Sequence, residues 1–100
     1  GEKRVDLVPF ATHAEGVRYA LQGNLDEAIA RFHEADHGLT YINAGLGIFK
    51  LQNRLMLAET LRAAGREKEA DKLVAEVRSV NKAMVAEFEE DGVETLGLGR

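Results

Sequence analysis

One pattern of small and large side chains occurs twice in this chain of 100 residues, and it constrains the fold more than any other feature. Each copy places a glycine between two amphipathic stretches, with an alanine five residues after it. The first copy is Gly16, Tyr19, Gly23, Ala28, Phe32 and Ala35, and the second is Ala58, Leu61, Gly65, Ala70, Val74 and Val77. Small residues let antiparallel helices approach closely, and larger apolar side chains fill the space between them. The pattern therefore predicts two helical hairpins.

Hydrophobic periodicity along the rest of the chain predicts an all-α fold with four main helices. Pro9 is the single proline, and it suits the first turn of a helix, where its missing N–H costs nothing. The predicted buried face of this first helix repeats at helical spacing and consists of Phe10, Ala14, Val17 and Leu21. Gly23 ends the helix. The second helix begins near Asn24 or Asp26 and ends at Gly38.

The stretch from Ile48 to Ala64 is apolar on more than one side, which predicts a third helix with neighbours on two faces at the centre of the packing. Gly65 ends it, and a fourth helix is predicted from about Glu67 to Glu90. Its predicted stripe is Ala70, Leu73, Val74, Val77, Val80, Met84, Val85 and Phe88. Residues 38–47 fit either a loop or a helical extension. The predicted domain spans residues 1–92, with units at about 9–40 and 45–90, and residues 93–100 form a predicted flexible tail.

The doubled pattern resembles the tetratricopeptide repeat family. The first copy departs from that family at Thr12, Glu15 and Thr40, where an aromatic residue, a leucine and a proline are usual. The two copies are 42 residues apart, from Ala28 to Ala70, whereas the usual repeat is about 34 residues long. The resemblance implies antiparallel helix–turn–helix repeats, a non-enzymatic scaffold that binds another protein or peptide, and no cofactor.

Two units fall short of the three or more that usually form a stable stack of repeats. Three arrangements would close the exposed end of the array. The fourth helix folds back as a cap, two chains form a homodimer, or further repeats of a larger protein precede Gly1. We expect the fourth helix to act as a partial cap, with self-association as the next alternative.

The resemblance also implies a binding groove, because the first helix of each unit lines a concave surface in such families. The groove residues would be His13, Val17, Ala20 and Leu21 from the first unit, and Gln52, Leu55, Glu59 and Arg62 from the second. A largely apolar groove with one arginine favours an amphipathic helix or an extended hydrophobic segment as its ligand. The alternative is that the chain itself, or a second copy, covers the same residues.

A competing pattern is His33-Glu34-Ala35-Asp36-His37, which matches the H-E-x-x-H motif of zinc hydrolases. Two histidines one helical turn apart can hold one metal ion, and the glutamate can activate a bound water. However, Asp36 is charged where such enzymes usually have an apolar residue, and Leu57 stands where one third ligand would be expected. We expect His33 and His37 to be solvated near a helix C-terminus, with a small zinc-dependent hydrolase as the alternative function.

Charge and composition exclude several other classes of function. The formal net charge of −4 argues against nucleic acid as the main partner. No apolar run approaches the roughly 18–20 residues that span a bilayer, so no membrane span is expected. The absence of cysteine removes disulfides and thiol nucleophiles. It fits a bacterial cytosol and a periplasm equally well, and we favour a cytoplasmic location.

Overall fold

The computed structural model describes residues 7–39 and 47–92, and over these residues the chain is helical with short turns. The helices are α1 (Val8–Leu21), α2 (Leu25–Leu39), α3 (Gly47–Ala63), α4 (Glu67–Val80) and α5 (Lys82–Glu87), followed by a π-helical turn (Phe88–Gly92). Helices α1 and α2 pack as one hairpin, α3 and α4 as a second, and α2 packs against α3. The predicted all-α class and helix–turn–helix packing are therefore confirmed. The predictions for residues 40–46 and for the tail at 93–100 lie outside the described residues.

The two hairpin turns have the same backbone geometry. Gly23 has a φ of +81° and Gly65 a φ of +83°, in the left-handed region that favours glycine. In each turn, the glycine N–H and the next N–H donate to carbonyls in the last turn of the preceding helix. The bonds are Asn24 to Tyr19 (2.9 Å), Gly23 to Ala20 (3.0 Å), Arg66 to Leu61 (2.8 Å) and Gly65 to Arg62 (3.0 Å). This arrangement is the Schellman motif, so the relation between the two copies extends to their backbone hydrogen bonds.

We expect Gly65→Ala to lower the free energy of unfolding by about 1–2 kcal/mol, because an alanine there is forced into the left-handed region. No atom lies within 4 Å of an added Cβ at Gly65, so the cost is one of backbone conformation alone. The matched variant is Gly47→Ala at the start of α3, where an added Cβ is equally free of contacts and φ is not positive. Helix propensity predicts that Gly47→Ala is neutral or stabilising by up to about 1 kcal/mol. Urea unfolding checks both variants, and equal effects would contradict the explanation.

Close contact between α1 and α2 depends on the small residue that begins the first copy of the pattern. A Cβ added at Gly16 would lie 2.8 Å from Cε1 of Phe32, whose side chain is fully buried. Toward the other end of the same hairpin, a Cβ at Gly38 would lie 2.8 Å from Cγ of Pro9. In the second hairpin, the position equivalent to Gly16 is the larger Ala58, and the position equivalent to Phe32 is the smaller Val74. The first hairpin is therefore packed as the doubled pattern predicts.

The buried face of α1 differs from the prediction. The structure buries Pro9, Thr12, Gly16 and Ala20, whereas Leu21 is 59% exposed and Ala14 is also exposed. The physical reason is the close approach at Gly16, since the helix turns its small residues toward α2 to admit the ring of Phe32. The larger apolar side chains of Phe10 and Val17 then lie at the edges of the contact, where both are half-buried. Periodicity found a helix here but selected the wrong face.

Helix α3 is the centre of the packing, as predicted. It packs against α1, α2 and α4, and its buried residues occupy more than one face of the helix. Leu57, Ala58 and Leu61 join the cluster that includes Phe32, while Leu55 joins a second cluster with Val77 and Val85. One helix therefore connects the two hydrophobic clusters.

The predicted single fourth helix is wrong, because the chain breaks helical geometry at Asn81. Its φ of −149° and ψ of 87° are not helical, and its Oδ1 accepts a hydrogen bond from the Met84 N–H at 3.0 Å. An asparagine in this role is a favourable N-cap. Val80, which was expected in the buried stripe, is 70% exposed beside the break, whereas Val85 of α5 packs with Leu55. The turn thus places α5, rather than a continuous α4, over the end of the second hairpin.

Candidate functional site

A cleft of about 570 Å³ lies between α3, α4 and the chain from α5 to the π-helical turn. Its lining residues are Leu55, Glu59 and Arg62 from α3, Asp71, Val74 and Arg78 from α4, and Val85, Phe88 and Glu89. Leu55 and Val85 are almost fully buried, so they form the floor. The side chains of Asp71 and Glu89 are largely exposed at the rim. The volume falls within the range of ligand-binding sites in proteins, about 300–1,000 Å³.

Helical spacing explains why these residues share one cleft. The α3 residues are four and three positions apart, and the α4 residues three and four apart, so each set lies on one face of its helix. The Schellman turn at Gly65 sets these two faces against each other. The break at Asn81 then brings Phe88 and Glu89 to the same opening. Local spacing and two turns therefore build the site.

Two ion pairs cross the rim between separate helical segments. Arg62 Nη1 donates to Asp71 Oδ1 at 3.0 Å and joins α3 to α4. Arg78 Nη2 donates to Glu89 Oε1 at 3.0 Å and joins α4 to the π-helical turn. Exposed pairs of this kind contribute only about 0–1 kcal/mol each. Their effect is to engage both arginines of the cleft with rim carboxylates.

Glu59 is the buried carboxylate of the cleft. The residue is 9% exposed, and its Oε1 is 3.9 Å from Arg62 Nε, which is too far for a hydrogen bond. Within the described part of the chain, no donor forms a hydrogen bond to it. Burial raises the pKa of the Glu59 carboxyl; Arg62 opposes this effect, and Glu89 adds to it. Glu59 is thus a charged group held in a site that disfavours its charge.

We expect Glu59→Gln to raise the melting temperature at neutral pH. A carboxyl whose folded pKa is raised binds more protons in the folded than in the unfolded state, so stability falls as pH rises between the two pKa values. The gain should therefore disappear at acidic pH below the ordinary glutamate pKa, where both states are neutral. The matched control is Glu90→Gln, an exposed position near the cleft. Thermal unfolding at several pH values tests this, and a pH-independent difference would contradict it.

The first-unit half of the predicted groove contains a hydrogen-bonded junction of three helices. Asn53 of α3 is 0% exposed, and its Nδ2 donates to the Phe32 carbonyl of α2 at 2.9 Å. Its Oδ1 lies 2.7 Å from Nδ1 of His13 on α1. Since a carbonyl can only accept, the Asn53 amide faces Phe32 through nitrogen, and Nδ1 of His13 must carry the proton. The imidazole also packs edge-on against Phe32 and Phe49, at ring distances of 5.4 and 4.9 Å.

The structure brings together three of the four second-unit residues of the predicted groove and none of the first-unit residues. Leu55, Glu59 and Arg62 line the cleft, whereas the lining does not include His13, Val17, Leu21 or Gln52. Gln52 is exposed, and Ala20 is buried in the core. Sequence reasoning missed Asp71, Arg78 and Glu89 at the rim. The signal that could have found them is Asn81, a residue that favours a helix start and would have turned the chain toward the cleft.

The H-E-x-x-H residues lie on α2 with His33, Glu34 and His37 all exposed. Glu34 is 3.7 Å from Arg31 Nη1, and Asp36 accepts a hydrogen bond from Arg54 Nε at 2.9 Å. Among residues 7–39 and 47–92, no three histidine or acidic side chains are grouped so that they could hold a metal ion. The zinc-hydrolase alternative remains a sequence prediction, and zinc analysis of purified protein lacking a histidine tag would test it.

No protein family, curated protein or solved structure matches this chain. Of the helices in the described ranges, none has the length and apolar character needed to cross a membrane. The site must therefore be interpreted from its own chemistry.

Proposed function

We propose that this chain is a non-enzymatic protein–protein interaction module of the tetratricopeptide type, and that its cleft receives a segment of another protein. The observation that carries the proposal is the cleft of about 570 Å³, whose buried floor is apolar and whose rim is charged. Interfaces between proteins commonly combine an apolar centre with a polar rim. The cleft lies on a scaffold of two similar hairpins, which is the arrangement that the doubled pattern predicts.

The size and shape of the cleft favour a short segment over a large flat surface. Its walls are α3 and α4 of one helical hairpin, and α5 contributes Val85 to the lining. A helix-lined groove suits an amphipathic helix or an extended apolar segment, whose side chains enter between the walls. The exposed Leu21 and Ile48 add apolar surface to the first helix of each hairpin. In this proposal, the docking surface retains Leu55, Glu59 and Arg62 of the predicted groove, whereas His13 belongs to the junction with Asn53.

The proposal is compatible with each of the three arrangements that would close the array. Helix α5 contributes Val85 to the second hydrophobic cluster and acts as a short cap over the second hairpin. A homodimer or further repeats in a larger protein would provide additional closure. Light scattering over a wide range of concentrations distinguishes a dimer from a monomer.

A photo-crosslinking experiment tests the proposed function. A photoreactive amino acid is placed at Asp71, on the rim of the cleft, and in a second variant at Ala30, an exposed position on α2. In cells that naturally contain the protein, we expect one discrete adduct from position 71 and none from position 30. The protein identified in the adduct is then purified and titrated into this chain by calorimetry.

Equal labelling from both positions would contradict a specific docking site, because it would show only random collisions. A failure of the identified protein to bind in calorimetry would contradict the proposal too. Both outcomes test whether another protein docks at the cleft, whichever of its side chains occupies the cleft.

A further inference from the structure

The cleft has one more negative than positive side chain: its carboxylates are Glu59, Asp71 and Glu89, and its cations are Arg62 and Arg78. Arg62 is hydrogen-bonded to Asp71, and Arg78 to Glu89, both at 3.0 Å. The remaining charged group is Glu59, which is 9% exposed and shares Arg62 with Asp71, its Oε1 lying 3.9 Å from Arg62 Nε without a hydrogen bond. A cationic donor from a ligand would balance the excess negative charge of the cleft and form a charge-assisted hydrogen bond with Glu59.

The surroundings of Glu59 define the rest of the ligand. The carboxylate lies in a cleft with Leu55 and Val85 at its floor and with Val74 and Phe88 half-buried in its lining. A bare inorganic cation would leave this apolar surface unfilled. Within the described residues there is also no group of three acidic or histidine side chains that would suit a metal ion. The complementary ligand has an apolar body and one positively charged donor.

We propose that the cleft binds a segment of a partner protein through one lysine or arginine side chain, whose cationic group donates to Glu59 while neighbouring apolar side chains contact Leu55, Val74 and Phe88. This inference rests on the proposed function and specifies the chemistry of the partner. Charge complementarity carries it, because one positive charge in the ligand balances the three carboxylates of the cleft against its two arginines. Arg62 stays paired with Asp71, and Arg78 with Glu89, at the rim. The positive charges of the two arginines exclude a second cation.

The experiment uses three capped peptides that differ at one position and are titrated into the full isotope-labelled chain. Each peptide has two leucines that flank a central lysine, norleucine or glutamate. Norleucine keeps most of the length and apolar body of lysine without its charge. We expect the lysine peptide to shift amide signals of α3 and α5 and to bind about tenfold more tightly than the norleucine peptide, as one hydrogen bond to a charged group predicts. The glutamate peptide should bind most weakly.

Two substitutions show whether Glu59 is the acceptor. Glu59→Gln retains the shape of the side chain and removes its charge, so it should reduce the preference for the lysine peptide over the norleucine peptide to about onefold. Glu90→Gln removes a charge from an exposed position near the cleft and should leave the preference unchanged. The amide spectra and melting temperatures of both variants verify that the fold is intact.

Several results would overturn the inference. Equal binding of the lysine and norleucine peptides to the native chain would make the cleft purely apolar, and preference for the glutamate peptide would assign recognition to the arginines. An absence of shifts with all three peptides at millimolar concentration would also reject it. That result would leave the proposed function standing if the cross-linked partner still binds. If amide shifts at the cleft depend on the concentration of the chain alone, the cleft belongs to a second copy of the chain. If the peptides bind only after the chain is truncated following Gly92, the cleft belongs to residues 93–100.

Discussion

Phe32→Ala is expected to lower the free energy of unfolding by about 3–5 kcal/mol, the largest effect of any single truncation within residues 7–39 and 47–92. Phe32 is 0% exposed and belongs to the cluster that joins both hairpins, with Ala28, Leu57 and Leu61. Removing the ring leaves a cavity beside Gly16, whose lack of a side chain was matched to that ring. Since small domains are stable by only about 5–15 kcal/mol, a large share of the margin would be lost.

Urea unfolding followed by circular dichroism measures this change. The matched control is Val80→Ala, which truncates an apolar side chain that is 70% exposed and should change stability by less than about 0.5 kcal/mol. A second control adds Gly16→Ala to the Phe32→Ala variant. Because the atoms that would crowd the new Cβ are then gone, the added methyl group should cost less than it does in the native chain. Additive effects, or a loss below about 1 kcal/mol for Phe32→Ala, would contradict the packing described here.

Asn53→Ala is expected to lower the free energy of unfolding by about 2–3 kcal/mol, because it removes two side-chain hydrogen bonds from a buried junction. The Nδ1–H of His13 would lose its acceptor, and the Phe32 carbonyl would lose a donor. Gln52→Ala, at the adjacent exposed position of the same helix, is the matched control and should be nearly neutral.

Nuclear magnetic resonance of the imidazole provides a readout beyond stability. In the native chain, the neutral form of His13 should carry its proton on Nδ1. In the Asn53→Ala variant, the proton should move toward Nε2, because no hydrogen bond to Asn53 then sets the tautomer. An unchanged tautomer together with a loss below about 0.5 kcal/mol would show that Asn53 does not hold the junction.

The helical hairpins could be predicted from the sequence because their signals are local. Gly23 and Gly65 each form a Schellman turn with residues fewer than six positions away, so the chain near each glycine is sufficient to specify the turn. Likewise, the multiple apolar faces of α3 correctly predicted a central helix. The H-E-x-x-H pattern on α2 is also local, but it is not sufficient to predict a metal site, because such a site needs ligands from elsewhere in the fold.

One wall of the cleft could be derived in the same way. Leu55, Glu59 and Arg62 follow each other at helical spacing, so the sequence alone places them on one face of α3. Asp71, Arg78 and Glu89 could not be assigned to that site, since their position depends on how α4 packs against α3 and on the turn at Asn81. A continuous helix to Glu90 would have carried Phe88 and Glu89 away from the opening.

Two features were decided only by contacts between helices distant in the chain. Which face of α1 is buried depends on the ring of Phe32, which needs the space at Gly16 and thereby turns Phe10 and Val17 to the edge. The burial of Glu59 depends on α4 and α5 closing around it, and this burial raises its pKa. Helix periodicity and turn chemistry arise between residues that are close in the chain, so they can be predicted from the sequence. The choice of face and the desolvation of a charge arise from packing, and only the tertiary structure contains them.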